Sequence, residues 1–413
     1  MAFASTLLNR SVTRVSGFRD AEFDYQLLRA IGVADYGGST VGECLAAASM
    51  ITDGDTRSWT RVFGALAERV EASGRRALAA GHKVSGRDHL LRASTYYRTA
   101  EYYAEADAAA MSEHGRRSQA CFADAAGLFD PPIEIVSVPF EDGVLPGYLV
   151  RPLPAGGAPR PPRGTLLVLG GFDSSAEELY FQLGAPGATR GWQVLVFDGP
   201  GQTGCMRVNP DMAFRPDYEV PVGAVLDFVL GRPDSDPDRV ALAGMSLGGY
   251  FASRAAARDR RIGALVVDSP IVDLFRYMEA MIGPDVFRMR SDIRPQDVTG
   301  VPEDLLPAQM VWGIAAVCRR FGVGSLHEWL ERLDGFRLGD AVEDIACPSL
   351  ALAGDAEGAE VTRQLQEFAG RVSGPVTVRT FGVDDGADAH CQANNLRLCA
   401  QVVYDWLDDT LTA

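Results

Sequence analysis

Six short apolar runs, separated by stretches of helical spacing, are the feature of this sequence that most restricts its fold. Between residues 165 and 382 they read TLLVLGG, GWQVLVFDGPG, RVALAGMSLGG, GALVVDSP, PSLALAGD and VTVRTFG. Strands that are apolar without alternation are buried on both faces, as in a parallel sheet covered by helices. The sequence therefore predicts an α/β fold with a mostly parallel sheet flanked by helices.

Helical regions precede and interrupt this pattern. Within residues 20–127 apolar residues recur at three- and four-residue spacing, and we predict an N-terminal helical cap domain over 1–127. Period-two alternation around a central turn predicts a β-hairpin within 129–154. The core is expected at 128–270 and 347–413. Because 271–346 is too long for a bare loop, we interpret it as a helical lid, packed on the N-terminal helices over the carboxyl edge of the sheet.

Charge and cysteine usage exclude several classes of partner. The net charge of −16 does not favour binding to nucleic acid or to an anionic membrane. The seven cysteines are scattered without a CxxC pair, which is typical of reduced thiols rather than a metal or redox site. No signal-peptide pattern and no apolar run of roughly 18 residues is present. A cytoplasmic protein is expected.

A serine follows the third apolar run in the segment Gly244-Met245-Ser246-Leu247-Gly248, which fits G-x-S-x-G. A predicted strand precedes this motif and a predicted helix follows it, as a nucleophile elbow requires. Glycines on either side of the serine allow a sharp turn that lifts the hydroxyl to the end of the sheet. Ser246 is therefore the predicted nucleophile, and the alternative interpretation is a structural turn.

A serine hydroxyl needs a base to remove its proton. When the serine lies on a nucleophile elbow, the acid and then the histidine base follow it in the chain. His390, in DDGADAHCQANN, lies between the last predicted strand and the last predicted helix, and it is the predicted base. The remaining histidines lie in helical or lid regions, where a capping or core role is expected: His82, His89, His114 and His327.

The acid that orients the histidine has several candidates. Glu357, in the segment GDAEG after the strand SLALAG, has the favoured position. Asp355 in the same segment and Asp268 at the end of the preceding strand stay open as alternatives. The acidic cluster beside His390 is interpreted as a solvated loop: Asp384, Asp385 and Asp388.

An oxyanion hole needs two backbone N–H groups aimed at the attacked carbonyl. Leu247, directly after the serine, is expected to supply one. Phe172, in the segment GGFDS after the first apolar run, is expected to supply the other. An ordinary turn is the alternative for that glycine-rich segment.

Together these segments resemble the FrsA-like esterase branch of the α/β hydrolases, which includes 2,6-dihydroxypseudooxynicotine hydrolases, fungal chain-shortening polyketide hydrolases and bacterial hydrolase-fold cyclases. The resemblance is carried by GHKVSGRDHLLRASTYYRTAEYY, GGFDSSAEELYF, FDGPGQTG, GMSLGGYFASRAA and AHCQ. It implies an α/β-hydrolase fold without a cofactor, a homodimer, and the triad Ser246, Glu357 and His390. The chain departs from the family pattern in its glutamate acid and in the threonine of GPGQTG.

The resemblance and the motifs predict an enzyme that acts on a bulky, apolar small molecule. The predicted reaction is serine-dependent hydrolysis of a carbon–carbon bond next to a carbonyl, or of an ester, in a polyketide-type secondary metabolite or an aromatic catabolite. The alternative is a hydrolase-fold cyclase that closes a ring without hydrolysis by dehydration or conjugate addition. In that case His390 serves as acid and base and Ser246 is a polar contact.

Overall fold

The computed structural model falls into two compact units. It describes residues 10–104, 108–154, 160–284, 292–299, 301 and 308–411. We call one unit the helical unit; it comprises 1–10, 14–129 and 279–333. The other, the sheet unit, comprises 11–13, 130–278 and 334–413.

The predicted lid does not form a unit of its own. Its middle part, 279–333, belongs to the helical unit, whereas 271–278 and 334–346 belong to the sheet unit. Three parts of the lid lie outside the described residues: 285–291, 300 and 302–307.

The sheet unit is built on one eight-stranded sheet with the order β1-β2-β4-β3-β5-β6-β7-β8. Its strands are β1 (Glu134–Phe140), β2 (Gly143–Val150), β3 (Thr165–Leu169), β4 (Gln193–Phe197), β5 (Val240–Met245), β6 (Ala264–Asp268), β7 (Ser349–Gly354) and β8 (Val376–Phe381). The pairs from β4 to β8 are parallel, and β1 and β2 form an antiparallel hairpin joined to β4. The six apolar runs are thus the six parallel strands, and the predicted hairpin is confirmed.

Burial explains the two kinds of strand sequence. Every residue of β3 to β7 is buried, because helices cover both faces of the central sheet. The edge strand β1 alternates between buried and exposed side chains over most of its length. The helices of this unit are Ala176–Leu179, Ala185–Arg190, Thr203–Val208, Glu219–Leu230, Gly248–Arg258, Ala359–Arg371 and Leu396–Leu411, and Leu274–Ile282 is divided between the two units.

The helical unit contains the helices predicted from three- and four-residue spacing. Their bounds are Ala21–Gly32, Val41–Ala48, Thr56–Ala79, Lys83–Tyr102, Ala108–Ala126, Pro295–Val298, Ala308–Phe321 and Leu326–Leu333. Each of the first three of these helices follows a residue whose side chain accepts hydrogen bonds from N–H groups of the first helical turn, which have no partner within the helix. These capping residues are Asp20, Thr40 and Asp55.

An aromatic cluster joins the lid to the N-terminal helices within the helical unit. The Trp59 ring packs edge-on against Phe23, with centroids 5.1 Å apart. The indole N–H of Trp312, in the helix Ala308–Phe321, donates to the Tyr102 carbonyl oxygen at 2.6 Å. The centroids of these two rings are 4.6 Å apart. This part of the predicted lid therefore packs on the N-terminal helices.

Two kinds of feature are missing from the part of the chain that the structure describes. No helix there is long and apolar enough to cross a membrane. No group of three or more histidine, cysteine or acidic side chains there is placed to hold a metal ion. All seven cysteines are free thiols.

Candidate active site

The predicted nucleophile lies on a sharp turn between a central strand and a helix. β5 ends at Met245, and the helix Gly248–Arg258 begins two residues after Ser246. Ser246 has φ +57°, a left-handed conformation that costs energy in a residue other than glycine. Its N–H donates to the Asp268 carbonyl oxygen at the end of the neighbouring strand β6. The turn is therefore fixed and presents the hydroxyl at the carboxyl end of the sheet.

Steric contacts explain the two glycines of the motif. A Cβ on Gly244 would overlap the Gly248 carbonyl oxygen, because strand and helix approach closely at the turn. A Cβ on Gly248 would lie 2.6 Å from the carbonyl oxygen of Gly170, in the loop after β3. Any larger residue at either position would force the turn apart. The G-x-S-x-G pattern is thus a packing requirement of this elbow.

His390 is the histidine that meets the serine. It lies on a turn between β8 and the helix Leu396–Leu411, and its side chain is 9% exposed. Its Nε2 lies 2.8 Å from the Ser246 Oγ. Its Nδ1 contacts the Glu357 Oε2. A carboxylate only accepts hydrogen bonds, so the proton belongs on Nδ1 and Nε2 can accept the serine proton.

The other histidines have contacts of their own within the helical unit. His89 Nδ1 lies 2.6 Å from the Ser85 carbonyl oxygen. The rings of His114 and Tyr97 stack with centroids 6.0 Å apart. His327 pairs with Glu331 at 3.5 Å. None of these three side chains is fully buried, and His82, the N-cap residue of the helix Lys83–Tyr102, makes no side-chain cap hydrogen bond, so a capping or core role is not confirmed for these histidines.

The Glu357 carboxylate is held on three sides. Its Oε1 accepts the Gly354 N–H at 2.8 Å, and its Oε2 accepts the Ser269 hydroxyl at 2.7 Å in addition to His390. Burial by itself would raise the pKa of Glu357, whose side chain is 2% exposed. The electrostatic interaction with His390 and these hydrogen bonds outweigh burial and hold the pKa of Glu357 below its ordinary value. Glu357 is therefore an ionised carboxylate at neutral pH.

The two alternative acids lie in different environments. Asp355 is exposed to solvent on the turn after β7. Asp268 is fully buried at the end of β6, where burial and then the charge of Glu357 raise its pKa to about 8. Its side-chain carboxyl group is contacted by the Gln392 amide at 3.4 Å and the Cys399 thiol at 3.9 Å. A carboxyl group with that pKa is mostly neutral at pH 7 and is poorly suited to stabilise a histidine cation.

One aspartate of the acidic cluster beside His390 is not solvated, so the expectation of a solvated loop is wrong for Asp388. This residue is fully buried, whereas Asp384 is exposed. The Asp388 carboxylate accepts the N–H groups of Val12 and Thr13 at 2.9 and 3.1 Å, and the Thr13 hydroxyl at 2.6 Å. We call this contact the N-terminal clasp. Because it lies two residues before His390, it holds the histidine turn to the start of the chain.

The clasp should stabilise the protein at neutral pH and not in acid. Burial raises the pKa of Asp388, but hydrogen bonds from Thr13 and Val12 bring it below its ordinary value. A lowered pKa contributes stability above the unfolded pKa of about 4, and the contribution is lost as pH falls through the folded pKa. We expect Asp388→Asn to lower the free energy of unfolding by about 2 kcal/mol at neutral pH, the loss of hydrogen bonds to a charge.

Urea denaturation at neutral pH and again in acid, where the carboxylate is protonated, checks this expectation. The difference between Asp388→Asn and the wild type should shrink in acid, while the exposed Asp384→Asn should match the wild type throughout. A difference that persists unchanged in acid would mean that the charge of Asp388 does not stabilise the fold.

The predicted oxyanion groups lie on the residue after the serine and on the loop after β3, which meets the serine at Gly171. A Cβ on Gly171 would lie 3.0 Å from both the Ser246 Oγ and the Leu247 nitrogen, and 2.7 Å from the Ser246 Cβ. The space beside Gly171 is therefore bounded by the hydroxyl and by the Leu247 N–H. Phe172 follows on the same loop, and its ring packs against Phe214 with centroids 5.9 Å apart. The structure thus places both predicted donors on the two segments that meet at Ser246.

Gly171→Ala tests whether the reaction uses the space between Gly171, the Ser246 hydroxyl and the Leu247 N–H. The added methyl group would press on the serine and on the Leu247 N–H, so we expect kcat/KM for an activated ester to fall by about 100-fold or more, as when an oxyanion donor is lost. Gly370→Ala is the matched control, because a Cβ there meets no atom within 4 Å. Equal activity of the two variants would show that the space beside Gly171 has no role in the reaction.

Sequence reasoning missed the contribution of Ser269. Its hydroxyl donates to Glu357 at 2.7 Å across 88 residues of sequence. β6 and β7 are parallel neighbours, so the residues that follow them meet at one edge of the sheet. That pairing is the signal that could have identified Ser269 as a partner of the acid.

Comparison with known proteins gives several relatives. No protein-family model matches the chain. The chain is 32% identical to Hydrolase ORFZ of Pyricularia oryzae, over 95% of this chain and 97% of that protein. It is 34% identical to Hydrolyase poxO of Penicillium oxalicum, over 81% and 82% of the two chains. It is 33% identical to Alpha/beta hydrolase gkaG of Penicillium citrinum, over 82% of each.

Two solved structures share the fold over nearly the whole chain. The 2,6-dihydroxy-pseudo-oxynicotine hydrolase matches with a TM-score of 0.68 and 22% identity, over 92% of this chain and 95% of that one. The protein AbyA5 matches with a TM-score of 0.58 and 19% identity, over 90% and 95% of the two chains. At these identities the likeness establishes a common fold.

Proposed function

The chain belongs to the α/β-hydrolase family, and from that premise we propose that it is a serine hydrolase with Ser246 as nucleophile, His390 as base and Glu357 as acid. Its mostly parallel sheet flanked by helices is the α/β-hydrolase fold that the sequence predicts. The observation that carries the proposal is the connected series of side chains. Ser246 Oγ lies 2.8 Å from His390 Nε2, and His390 Nδ1 contacts the buried carboxylate of Glu357.

The first half of the proposed reaction forms an acyl-enzyme. His390 Nε2 takes the proton as Ser246 Oγ attacks a substrate carbonyl carbon, and the imidazolium that forms is stabilised by the Glu357 charge. The carbonyl oxygen becomes an oxyanion that accepts hydrogen bonds from the N–H groups of Leu247 and Phe172. When the tetrahedral intermediate collapses, the leaving alkoxide or enolate carbon takes the proton from His390.

The second half returns the free enzyme. A water molecule gives a proton to His390 Nε2 and attacks the acyl carbon, and the bond between that carbon and Ser246 Oγ then breaks. Ser246 recovers its proton from His390, and a carboxylic acid leaves. The net change is the addition of one water molecule across the cleaved bond.

The proposed substrate is a bulky, apolar carbonyl compound of the polyketide or aromatic type. The resemblance to chain-shortening polyketide hydrolases supports this class, and the relatives named hydrolase support the reaction type. Both an ester and a β-diketone suit the proposed steps, because each gives a leaving group that His390 can protonate. Ring closure without hydrolysis is the alternative outcome of the test.

The fate of water distinguishes hydrolysis from ring closure. We propose to incubate the protein with aryl esters and aryl β-diketones in water enriched in the heavy oxygen isotope, and to analyse the products by mass spectrometry. A hydrolase gives a carboxylic acid carrying one heavy oxygen, and Ser246→Ala gives none above the uncatalysed rate. A product of unchanged or lower mass that contains no heavy oxygen would contradict hydrolysis and favour a cyclase.

A further inference from the structure

The loop after β4, with the sequence GPGQTG, contains a buried glutamine that reaches the loop carrying the predicted oxyanion donor. Gln202 has no exposed surface. Its Nε2 donates to the Gly170 carbonyl oxygen at 2.5 Å and lies 3.4 Å from the Gly171 carbonyl oxygen. Its Oε1 accepts the Gly199 N–H at 2.6 Å, which fixes the orientation of the amide. The two loops meet because β3 and β4 are parallel neighbours.

A second side chain holds the same peptide from its opposite edge. The Gly171 N–H donates to the Ser174 hydroxyl at 2.9 Å. The peptide between Gly170 and Gly171 is therefore bonded at its carbonyl by Gln202 and at its N–H by Ser174. If this peptide plane rotated by half a turn, its carbonyl would face away from Gln202 and its N–H away from Ser174. Both buried groups would then lack a hydrogen-bond partner, which costs free energy.

The orientation of the next peptide decides where the Phe172 N–H points. In a trans peptide the carbonyl and the N–H point in opposite directions. The Gly171 carbonyl lies on the Gln202 side, so the Phe172 N–H points away from Gln202. The Ser246 hydroxyl lies 3.0 Å from the position that a Gly171 Cβ would take. A turned peptide would bring a carbonyl oxygen, rather than an N–H, into the space where the oxyanion forms.

We propose that Gln202 is a positioning residue that keeps the loop Gly170-Gly171-Phe172 in the conformation of a preformed oxyanion hole. This inference rests on the proposed function, since it concerns the same reaction centre. Thr203, one of the sequence departures in this loop, assists by donating from its hydroxyl to the Asp173 carbonyl oxygen at 3.0 Å. Gln202 thus supports the reaction from a position with no exposed surface.

The test is the rate of phosphonylation of Ser246 by an alkyl fluorophosphonate, a probe that needs no knowledge of the substrate. Gln202→Met keeps the length of the side chain and removes the donor. We expect its maximal inactivation rate to fall by about 10- to 100-fold, less than the loss of an oxyanion donor outright. Probe binding before reaction and the midpoint of the pH profile should match the wild type, because His390 and Glu357 are untouched.

Gln193→Met is the matched control for the loss of a buried amide. Gln193 is the first residue of β4 and, like Gln202, is fully buried. Its side-chain amide donates to the hydroxyls of Thr165 at 3.3 Å and Ser235 at 3.2 Å, away from the loop after β3. We expect Gln193→Met to lower the thermal stability as much as Gln202→Met does, and to react with the probe at the rate of the wild type. An inactivation rate in Gln202→Met equal to that of Gln193→Met would overturn the inference.

Ser174→Ala keeps the inference testable if Gln202→Met does not fold, because it removes a single oxygen from the other edge of the same peptide. It should lower the maximal inactivation rate several-fold with probe binding unchanged, and a wild-type rate would again overturn the inference. Failure of the wild-type protein to react at Ser246 has a different meaning. It would refute the proposed nucleophile itself, whatever Gln202 does.

Discussion

Replacing His390 with alanine should lower kcat for an activated ester by about 10⁶-fold, the size of effect found when the base of a serine triad is removed. The reason is the 2.8 Å contact between His390 Nε2 and the Ser246 hydroxyl. Without the imidazole, the serine must lose its proton to water, and the leaving group has no acid to protonate it. The oxyanion donors alone leave only a small residual rate above the uncatalysed reaction.

Steady-state kinetics with an aryl ester, at enzyme concentrations high enough to detect the residual rate, measures this effect. His327→Ala is the control, because that side chain is 37% exposed and pairs only weakly with Glu331 at 3.5 Å. It should keep wild-type kinetics. Activity of His390→Ala within tenfold of the wild type would show that another group takes the serine proton.

Glu357→Gln should lower kcat by about 10⁴-fold, the effect of an amide in place of a triad carboxylate. The amide keeps an acceptor for the Gly354 N–H, so the fold should be preserved. It also allows an N–H to face His390 Nδ1, which favours the tautomer with the proton on Nε2. That tautomer cannot accept the Ser246 proton, and the histidine cation loses its neighbouring charge.

The alternative acids provide the controls for Glu357→Gln. Asp355→Asn changes an exposed side chain and should leave kcat unchanged. Asp268→Asn replaces a carboxyl group that is mostly neutral at pH 7, because burial raises its pKa to about 8. It should therefore keep kcat within a few-fold of the wild type. A large loss in Asp268→Asn together with a small loss in Glu357→Gln would make Asp268 the acid.

Chain order and apolar patterning predicted most of the sheet and the three central residues of the site. β3 to β7 are buried along their whole length and mostly apolar because both faces are covered, so each strand can be recognised without any knowledge of its partners. Ser246 was identifiable because the elbow needs glycines at 244 and 248 for local steric reasons. His390 was expected from its place after the last strand, and Glu357 was favoured over Asp355 and Asp268, which lie at the same edge because carboxyl ends of parallel strands meet there.

The features that sequence reasoning missed depend on contacts between distant segments. Asp388 looked like part of a solvated loop because its partners, Val12 and Thr13, lie more than 370 residues earlier. Gln202 appeared only as part of a family motif, and its bond to Gly170 depends on the pairing of β3 with β4. The predicted lid bounds, 271–346, also differ from the segment 279–333 that joins the helical unit, since helical spacing does not reveal which unit a helix joins.

The identity of the residue that becomes covalently modified shows whether Ser246 is the nucleophile. We propose to treat the full chain with an alkyl fluorophosphonate, measure the mass of the intact protein, and map the adduct by peptide mass spectrometry. We expect one phosphonyl group per chain, carried by Ser246, and no adduct on Ser246→Ala. An unlabelled wild-type protein that still turns over substrate, or an adduct on another residue, would contradict it.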